Sequence, residues 1–485
     1  MVTFVISLVL LVAGYFIYGR VTEKIFGIDE NRQTPAYTKQ DGVDYVPMKS
    51  WRIFLIQFLN IAGLGPIFGA IMGAKFGTSS FLWIVFGCIF AGAVHDFLSG
   101  MILLRLGGVG LPEVHGKYLG RGVRVFMRYF TVLLLILVGA VFISGPAEIL
   151  AGLVGGKFNQ FFWIVVIFVY YIVATLVPID KLIGKIYPVF GFCLLFMAAG
   201  IMVSLFVFQP QLPEIWNGLD NKMPDAANNP IFPMMFVSIA CGAISGFHAT
   251  QSPLMARCLT NEKQARPIFY GSMITEGVVA LVWAAAASFI FYTEDGQALL
   301  GTASSTPASI VNILCNSWLG TVGAILAVLG VIAAPITSGD TAFRSARLII
   351  AESFKIDQKP FVKRILVAVP LFILGLLVLI YSFQDKDGFA VIWNGFSWAN
   401  QFMAMVTLWA ITVCLAQNKK WFWISLLPAL FMTMVCSSYL LISTKTGFGL
   451  PHTLGYILSG VVTFSLLVWF FVWKTRNSKN FIPSL

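Results

Sequence analysis

The stretch that decides the fold is Gln57-Phe-Leu-Asn-Ile-Ala-Gly-Leu-Gly-Pro-Ile-Phe-Gly69, which lies inside a long apolar run. Pro66 removes a backbone hydrogen-bond donor and clashes with the preceding helical turn, while Gly63 and Gly65 permit irregular backbone. Asn60 places an amide three residues before the first of these glycines. Together these residues predict a helix that is interrupted halfway along its length.

A second interrupted run reads Gly242-Ala-Ile-Ser-Gly-Phe-His-Ala-Thr-Gln-Ser-Pro253, after which a further helical stretch is expected from Leu254 to Ala265. Broken backbone at membrane depth is tolerated only inside protein or beside a wet cavity, and freed amides and carbonyls there bind ions and anionic groups. A simple kink is the alternative for either run alone, because proline and glycine are common in membrane helices. The candidate binding residues of this run are Ser245, Gly246, Phe247, His248 and Gln251.

The composition places both runs in a membrane. Of the 485 residues, 58% are hydrophobic and only 11% are charged, against about 25% charged residues in soluble domains. Soluble enzymes, nucleic-acid-binding proteins and secreted disulfide-rich scaffolds are thereby excluded. The seven cysteines form no CxxC or CxxH pair and are interpreted as packing residues, and no Walker-type nucleotide motif occurs. We predict a polytopic membrane protein that is not an enzyme and needs no cofactor.

Thirteen apolar runs are long enough to be predicted as transmembrane helices. With the N-terminus outside, 27 of the 32 Lys and Arg residues fall on the inner side and 5 on the outer side, which is the positive-inside pattern. We therefore predict an inner (plasma) membrane protein with a cytoplasmic C-terminus. The runs cover about 2–19, 51–74, 81–104, 129–152, 161–178, 186–208, 231–250, 267–292, 318–338, 361–382, 389–413, 422–443 and 451–474.

The two interrupted runs are spans two and seven of this series. A repeat of five spans has an odd number, so its second copy enters the membrane from the opposite side. Spans 2–6 and 7–11 then form inverted repeats that each open with a broken helix, as in the LeuT-like 5+5 core, and spans 1, 12 and 13 are peripheral. The predicted regions are 1–50 (first span and loop), 51–208 (first repeat), 209–413 (second repeat) and 414–485 (peripheral spans).

Three ionisable residues lie deep in predicted spans, namely His95, Asp96 and Glu276. An ionisable residue inside the membrane is costly and indicates function by default, here a proton relay or a gate. Structural hydrogen bonds between helices are the alternative reading for each of them. Because adjacent residues of a helix point about 100° apart, we expect His95 and Asp96 to face different neighbours.

Span nine ends in the polar sequence Thr337-Ser338-Gly-Asp340. In the inverted-repeat arrangement it is the eighth core helix, which in LeuT-like sodium symporters supplies hydroxyls to a sodium site shared with the first broken helix. Hydroxyls of Thr337 and Ser338 and freed carbonyls of residues 62–65, with Asp340 close by, could supply the several oxygens that sodium needs. A helix end capped by polar residues is the alternative.

At these motifs the sequence resembles the carbon starvation protein A (CstA) family. The resemblance implies a secondary transporter of the LeuT fold, and the family is implicated in peptide uptake during carbon starvation and, for some members, in pyruvate uptake with protons. The stretches that carry it occur in the family's order, and they are Asp41–Pro47, Ile61–Pro66, Ala91–Phe97, Val177–Pro188, Ser245–His248, Tyr270–Glu276 and Thr337–Arg344.

The resulting hypothesis is a secondary active transporter that imports a small nutrient, either a peptide or a pyruvate-like carboxylate, coupled to a proton or sodium gradient. A passive channel or a membrane nutrient sensor on the same fold is the alternative, and the oligomeric state stays open. A substrate carboxylate is expected at the N-terminus of a half-helix. The predicted substrate-binding residues are Asn60, Gly63, Gly65, Pro66, Ser245, Gly246, Phe247, His248 and Gln251, and the predicted coupling residues are Thr337, Ser338, Asp340, His95, Asp96 and Glu276.

Overall fold

The computed structural model describes residues 1–42, 45–153, 158–176, 179–356, 360–384 and 388–477, and within these the chain is built from helices and connecting loops. The first eight helices are α1 (Val2–Phe26), α2 (Ser50–Ile61), α3 (Gly65–Ala74), α4 (Ser79–Arg105), α5 (Leu111–Leu119), α6 (Arg121–Leu153), α7 (Gln160–Leu176) and α8 (Ile179–Phe208). The remaining nine are α9 (231–238), α10 (Gly246–Ala256), α11 (Glu262–Tyr292), α12 (Glu294–Leu300), α13 (Pro307–Ser353), α14 (Phe361–Gln384), α15 (Gly388–Gln417), α16 (Trp423–Ile442) and α17 (His452–Asn477).

Several of these helices can cross a membrane. Among the described residues, nine are long and apolar enough to do so, and α2 and α3, bent by 54° against each other, make a tenth. The polytopic class is therefore confirmed. Each of the thirteen predicted runs overlaps a helix or a broken pair of helices, while the number of spans, the repeat boundaries and the four predicted regions stay predictions. Residues 43–44, 177–178 and 478–485, which belong to two quoted motifs and to the predicted C-terminal region, lie outside the described residues.

The first predicted break is confirmed between α2 and α3. Residues 62–64 are not helical, and the amide of Gly63 bonds to the carbonyl of Ile61 at 3.0 Å instead of continuing the helical ladder. The carbonyls of Leu59 and Asn60 are thereby freed for other partners. Pro66 lies in the first turn of α3, where its missing N–H has no helical acceptor to lose. It therefore starts the second half-helix and does not disrupt a continuous one.

The second break lies earlier in the chain than predicted. Residues 239–245 are irregular, and α10 then runs from Gly246 through Pro253 to Ala256. The expected second helical stretch from Leu254 to Ala265 is therefore wrong, because a membrane helix accommodates an internal proline when its surroundings supply replacement bonds. Hydroxyls of Thr250 and Ser252 bond to carbonyls one turn earlier, at 2.6 and 3.0 Å.

Contacts between loops agree with the predicted sides of the membrane. Arg105 bonds to Glu262 at 2.7 Å and Arg266 lies 3.3 Å from Glu23, and all four residues belong to segments predicted to be inside. Lys75 donates to the carbonyl of Ser305 at 3.0 Å, and both residues are predicted to be outside. The relative sidedness of these segments therefore matches the charge pattern, and the absolute orientation stays a prediction.

Candidate substrate and ion site

The two helix breaks pack directly against each other in the middle of the helix bundle. A Cβ atom built on Gly65 would lie 2.2 Å from both Cβ and Sγ of Cys241, so only glycine fits at this contact. A Cβ atom on Gly242 would lie 3.8 Å from the Cα of Pro66. The candidate residues of spans two and seven are thus brought together around one buried centre.

Four ionisable side chains form a continuous chain at this centre, which we call the acid–imidazole chain: His95, Asp96, His248 and Glu276. Nδ1 of His95 lies 2.8 Å from one carboxylate oxygen of Asp96, and Nδ1 of His248 lies 2.7 Å from the other. Nε2 of His248 lies 3.2 Å from Oε2 of Glu276. All four side chains are fully buried, and the chain joins α4, α10 and α11. His95 contacts Asp96 itself, whereas Asp96 also contacts His248 on α10, so the expectation that His95 and Asp96 face different neighbours stays a prediction.

The hydrogen-bond donors and acceptors of these groups show which atoms of the acid–imidazole chain lack a partner among the described residues. An ionised Asp96 only accepts hydrogen bonds, so each facing Nδ1 carries a hydrogen, and neutral His248 keeps a lone pair on Nε2. Both carboxylate oxygens of Glu276 and the Nε2 atom of His248 lack a hydrogen-bond partner among the described residues. Two acceptor atoms 3.2 Å apart need a cation between them. A proton or a metal ion satisfies this requirement.

Two side chains of α15 hold the second break in place. Oδ1 of Asn400 accepts from the backbone N–H of Phe247 at 2.7 Å and from the hydroxyl of Ser245 at 3.1 Å. Nε2 of Gln401 lies 3.2 to 3.5 Å from the carbonyls of Phe236, Ile239 and Ala240. These two amides therefore replace helical hydrogen bonds on both sides of the break, and we call them the amide clamp.

The amide clamp was not predicted from the sequence. Its signal was an Asn-Gln pair inside the apolar run 389–413, where two neighbouring amides are costly unless they are bonded. The clamp also alters one expectation, because Oδ1 of Asn400 lies at the N-terminus of α10, where a substrate carboxylate was expected. An anionic substrate can use that position only by displacing the amide oxygen.

The first break carries polar groups with fewer partners. The side-chain amides of Gln57 and Asn60 are buried, and none of their four polar atoms has a hydrogen-bond partner within the described parts of the chain. The Ser338 hydroxyl lies 3.1 Å from the carbonyl oxygen of Leu59, 3.3 Å from that of Asn60 and 3.0 Å from that of Ala334. One hydroxyl proton is shared among three carbonyl oxygens, so several oxygens meet at this point, as the predicted sodium position requires.

The predicted coupling residues of span nine are only partly brought together. Ser338 contacts the first break, as the sodium hypothesis requires. Thr337 donates to the carbonyl of Ala334 at 2.8 Å, one turn earlier in its own helix, and Asp340 lies 3.7 Å from Arg344. Ser338 is therefore the residue that connects α13 to the break between α2 and α3.

Three side chains at the centre, two of them members of the acid–imidazole chain, have the chemistry of metal ligands. Sγ of Cys241, a ring nitrogen of His248 and a carboxylate oxygen of Glu276 lie within 4.8 Å of one another, and all three residues are buried. Cys241 was interpreted from the sequence as a packing residue. The lack of a CxxC or CxxH pair concealed this set, because its members come from the irregular segment before α10, from α10 and from α11.

Two broken helices that enclose a buried polar centre, in an all-helical membrane protein, define a membrane transporter of the LeuT class. The family model described as "Carbon starvation protein CstA" matches residues 1–156, 150–318 and 305–438. The chain belongs to the CstA family.

Relatives with high similarity come from several bacteria. An uncharacterized membrane protein of Haemophilus influenzae is 44% identical, over 62% of this chain and 93% of its own length. The peptide transporter CstA of Campylobacter jejuni is 26% identical, over 86% of this chain and 76% of its own. The pyruvate/proton symporter BtsT of Escherichia coli is 27% identical, over 56% of this chain and 46% of its own.

Solved structures with the same fold are transporters. A mutant of the manganese transporter from Eremococcus coleocola aligns with a TM-score of 0.60 and 14% identity, covering 89% of this chain and 95% of its own. The structure of MhsT in complex with L-phenylalanine aligns with a TM-score of 0.55 and 12% identity, covering 86% and 98% of the two chains. These likenesses confirm the predicted LeuT-like fold class.

Proposed function

We propose that the chain is a secondary active transporter that imports a small organic nutrient, either a short peptide or a pyruvate-like carboxylate, across the bacterial inner membrane. The observation that carries the proposal is the meeting of two helix breaks at one buried polar centre. The names of the Campylobacter jejuni and Escherichia coli relatives support these two substrate classes.

The substrate site is proposed at the junction of the two breaks. The buried amides of Gln57 and Asn60 offer donors and acceptors that are not used within the described residues, and a peptide bond or a keto acid can pair with them. Gly63 and Gly65, which we also propose as binding residues, allow the side chains of Phe142 and Cys241 to pack directly against the first break. The other proposed binding residues are Pro66, Ser245, Gly246, Phe247, His248 and Gln251.

The site is enclosed in this conformation. Asn60, Phe247 and His248 are fully buried or nearly so. The ring of Phe142 lies edge-on to that of Phe247, with 6.3 Å between the ring centroids. Substrate entry and release then require one helix group to rock against the other, which is the alternating access expected of this fold.

Coupling to an inward cation gradient is proposed at one of two places. The acid–imidazole chain offers a route for a proton, because contacts of 2.7 and 2.8 Å join His248 and His95 to Asp96 and Glu276 lies 3.2 Å from His248. Ser338, with Thr337 and Asp340 on the same helix, offers a sodium position beside the freed carbonyls of Leu59 and Asn60. The two places are close enough in the fold to act on the same pair of breaks.

The test is uptake by purified protein in proteoliposomes. Labelled pyruvate and a labelled dipeptide are offered separately, each with an inward proton gradient, an inward sodium gradient or neither. We expect one substrate to accumulate with one gradient, and Ser338→Ala to abolish accumulation only if sodium is the coupling ion. Asp220→Asn, on an exposed loop, is the control. Flux without accumulation would instead indicate a passive channel, and substrate-induced thermal stabilisation without flux would indicate a sensor.

A further inference from the structure

The group formed by Cys241, His248 and Glu276 combines three types of metal ligand, which transport of a peptide or a keto acid does not require. We propose that these three side chains form a binding site for a divalent transition metal of the zinc type. The site joins the irregular segment of the second break, helix α10 and helix α11.

The ligand atoms are close to the spacing that zinc needs. Zinc bonds to sulfur, nitrogen and oxygen of about 2.0 to 2.3 Å place tetrahedral ligand atoms about 3.5 Å apart. In this structure the three atoms lie within 4.8 Å of one another, and one pair, Nε2 of His248 and Oε2 of Glu276, is already at 3.2 Å. Closing the set around an ion therefore requires the widest pair of ligand atoms to approach each other by about 1 Å.

The surrounding groups prepare each ligand for a metal. Asp96 accepts a hydrogen bond from Nδ1 of His248 at 2.7 Å, and this fixes the tautomer whose Nε2 lone pair points to Cys241 and Glu276. Nδ2 of Asn400 donates toward Sγ of Cys241 at 3.5 Å, which stabilises a thiolate. Carboxylate partners of ligating histidines and donors to ligating sulfurs are the usual second layer of metal sites.

The charges of the set also match a divalent ion. A Cys241 thiolate and a Glu276 carboxylate together carry two negative charges, so the bound centre is neutral and suits a buried environment. Binding releases the thiol proton of Cys241 and any proton held between His248 and Glu276. The three protein ligands leave a fourth tetrahedral position open for water or another small ligand.

A metal bound here would tie the irregular segment of the second break and helix α10 to α11. Cys241 precedes α10 and His248 lies inside it, so one ion would fix the break in a single shape. If the break changes shape during transport, zinc ions are expected to inhibit uptake. This consequence rests on the proposed function, whereas the metal site itself does not.

The test is titration of the purified full-length protein in detergent with Co²⁺ as the probe. Long incubation is needed because the ligands are buried. We expect about one equivalent of Co²⁺ to give the visible bands of a tetrahedral site and a near-ultraviolet thiolate charge-transfer band. Zn²⁺ is expected to displace the cobalt and remove both bands. The spectrum requires no transport, so it is independent of the substrate.

Matched variants assign the bands to the proposed ligands. Cys241→Ser is expected to remove the charge-transfer band, and Glu276→Gln to weaken Co²⁺ affinity by at least about tenfold. Cys436→Ser, another buried cysteine that lies on α16, is expected to leave both bands unchanged. Absence of a thiolate band in the wild-type protein overturns the proposal, even if a ligand variant fails to fold. A band that persists in folded Cys241→Ser overturns it as well.

Discussion

The two helix breaks differ in how their polar groups are satisfied. At the second break, the amide clamp bonds the backbone on both sides of the irregular segment, and His248 belongs to the acid–imidazole chain. At the first break, the amides of Gln57 and Asn60 lack partners within the described residues. The second break is thus held by other parts of the protein, whereas the first keeps hydrogen-bonding capacity that is unused within the described residues, as the proposed substrate site requires.

The largest loss of stability and uptake is expected from a substitution in the acid–imidazole chain. Replacing Asp96 by Asn removes the charge that orders His95 and His248, and breaking a buried charged network costs about 3 to 5 kcal/mol. We expect a clear loss of thermal stability in detergent and uptake at background level. Asp220→Asn, whose carboxylate is 79% exposed, is the control and should behave like the wild type. A wild-type melting temperature for Asp96→Asn would show that the acid–imidazole chain does not organise the second break.

The next effect tests the amide clamp. Replacing Asn400 by Leu keeps the approximate volume but leaves the amide of Phe247 and the hydroxyl of Ser245 without their acceptor. A buried donor left unsatisfied costs about 1 to 3 kcal/mol. We expect a lower melting temperature and faster hydrogen exchange across residues 245–250. The same substitution at the exposed Asn228 should change neither quantity, and equal exchange in both variants would contradict the clamp.

At the first break, loss of a side-chain amide is expected to weaken substrate binding without lowering stability. Asn60→Leu removes an amide that has no partner among the described residues, so the free energy of unfolding should stay the same or rise. Substrate binding should weaken about tenfold or more, because one good hydrogen bond to a ligand is lost. The measurements are the melting temperature and the KM for uptake. A loss of stability as large as that of Asn400→Leu would remove the distinction between the two breaks.

The smallest effect is expected far from both breaks, at Glu113 on α5. Partial burial raises the pKa of Glu113, but bonds from Arg128 and Arg124 outweigh it and hold the pKa below its ordinary value. Because the folded pKa is depressed, these bonds stabilise the protein above the unfolded pKa of about 4.3, and the contribution is lost as the pH falls through the folded value.

Glu113→Gln should therefore lower the melting temperature only slightly at neutral pH, because partly exposed ion pairs contribute less than about 1 kcal/mol. The difference from the wild type should shrink as the pH falls below about 4.3 and vanish only below the depressed folded pKa. Melting curves recorded as a function of pH measure it. A difference that grows on acidification would contradict the assignment of these bonds.

The sequence indicated the existence of both breaks more accurately than their extent. The close clustering of two glycines and a proline at 63–66 and of polar residues at 245–252 distinguishes these stretches from the rest of their apolar runs, and local chemistry is enough to detect it. The exact irregular segment, residues 239–245, depends on carbonyls held by Gln401 more than 160 residues later. Long-range packing of this kind leaves no local periodicity.

The difference between local chemistry and long-range packing also explains which site residues could be predicted from the sequence. His95, Asp96, His248 and Glu276 stood out because charge and imidazole are rare at membrane depth, but their connection into one chain requires the packing of α4, α10 and α11. Cys241 was read as a small packing residue, since nothing near it in the sequence resembles a ligand motif. Asn400 and Gln401 lie in a span without a glycine–proline break, and only their own polarity distinguishes them from the apolar residues around them.

The position of Asn400 has a consequence for anion binding. Its amide oxygen occupies the N-terminus of α10, so an anion arriving there exchanges one acceptor for another and gains only the difference between a carboxylate and an amide. The net gain in binding free energy from a carboxylate at this position would therefore be smaller than at a helix N-terminus whose amides have no acceptor.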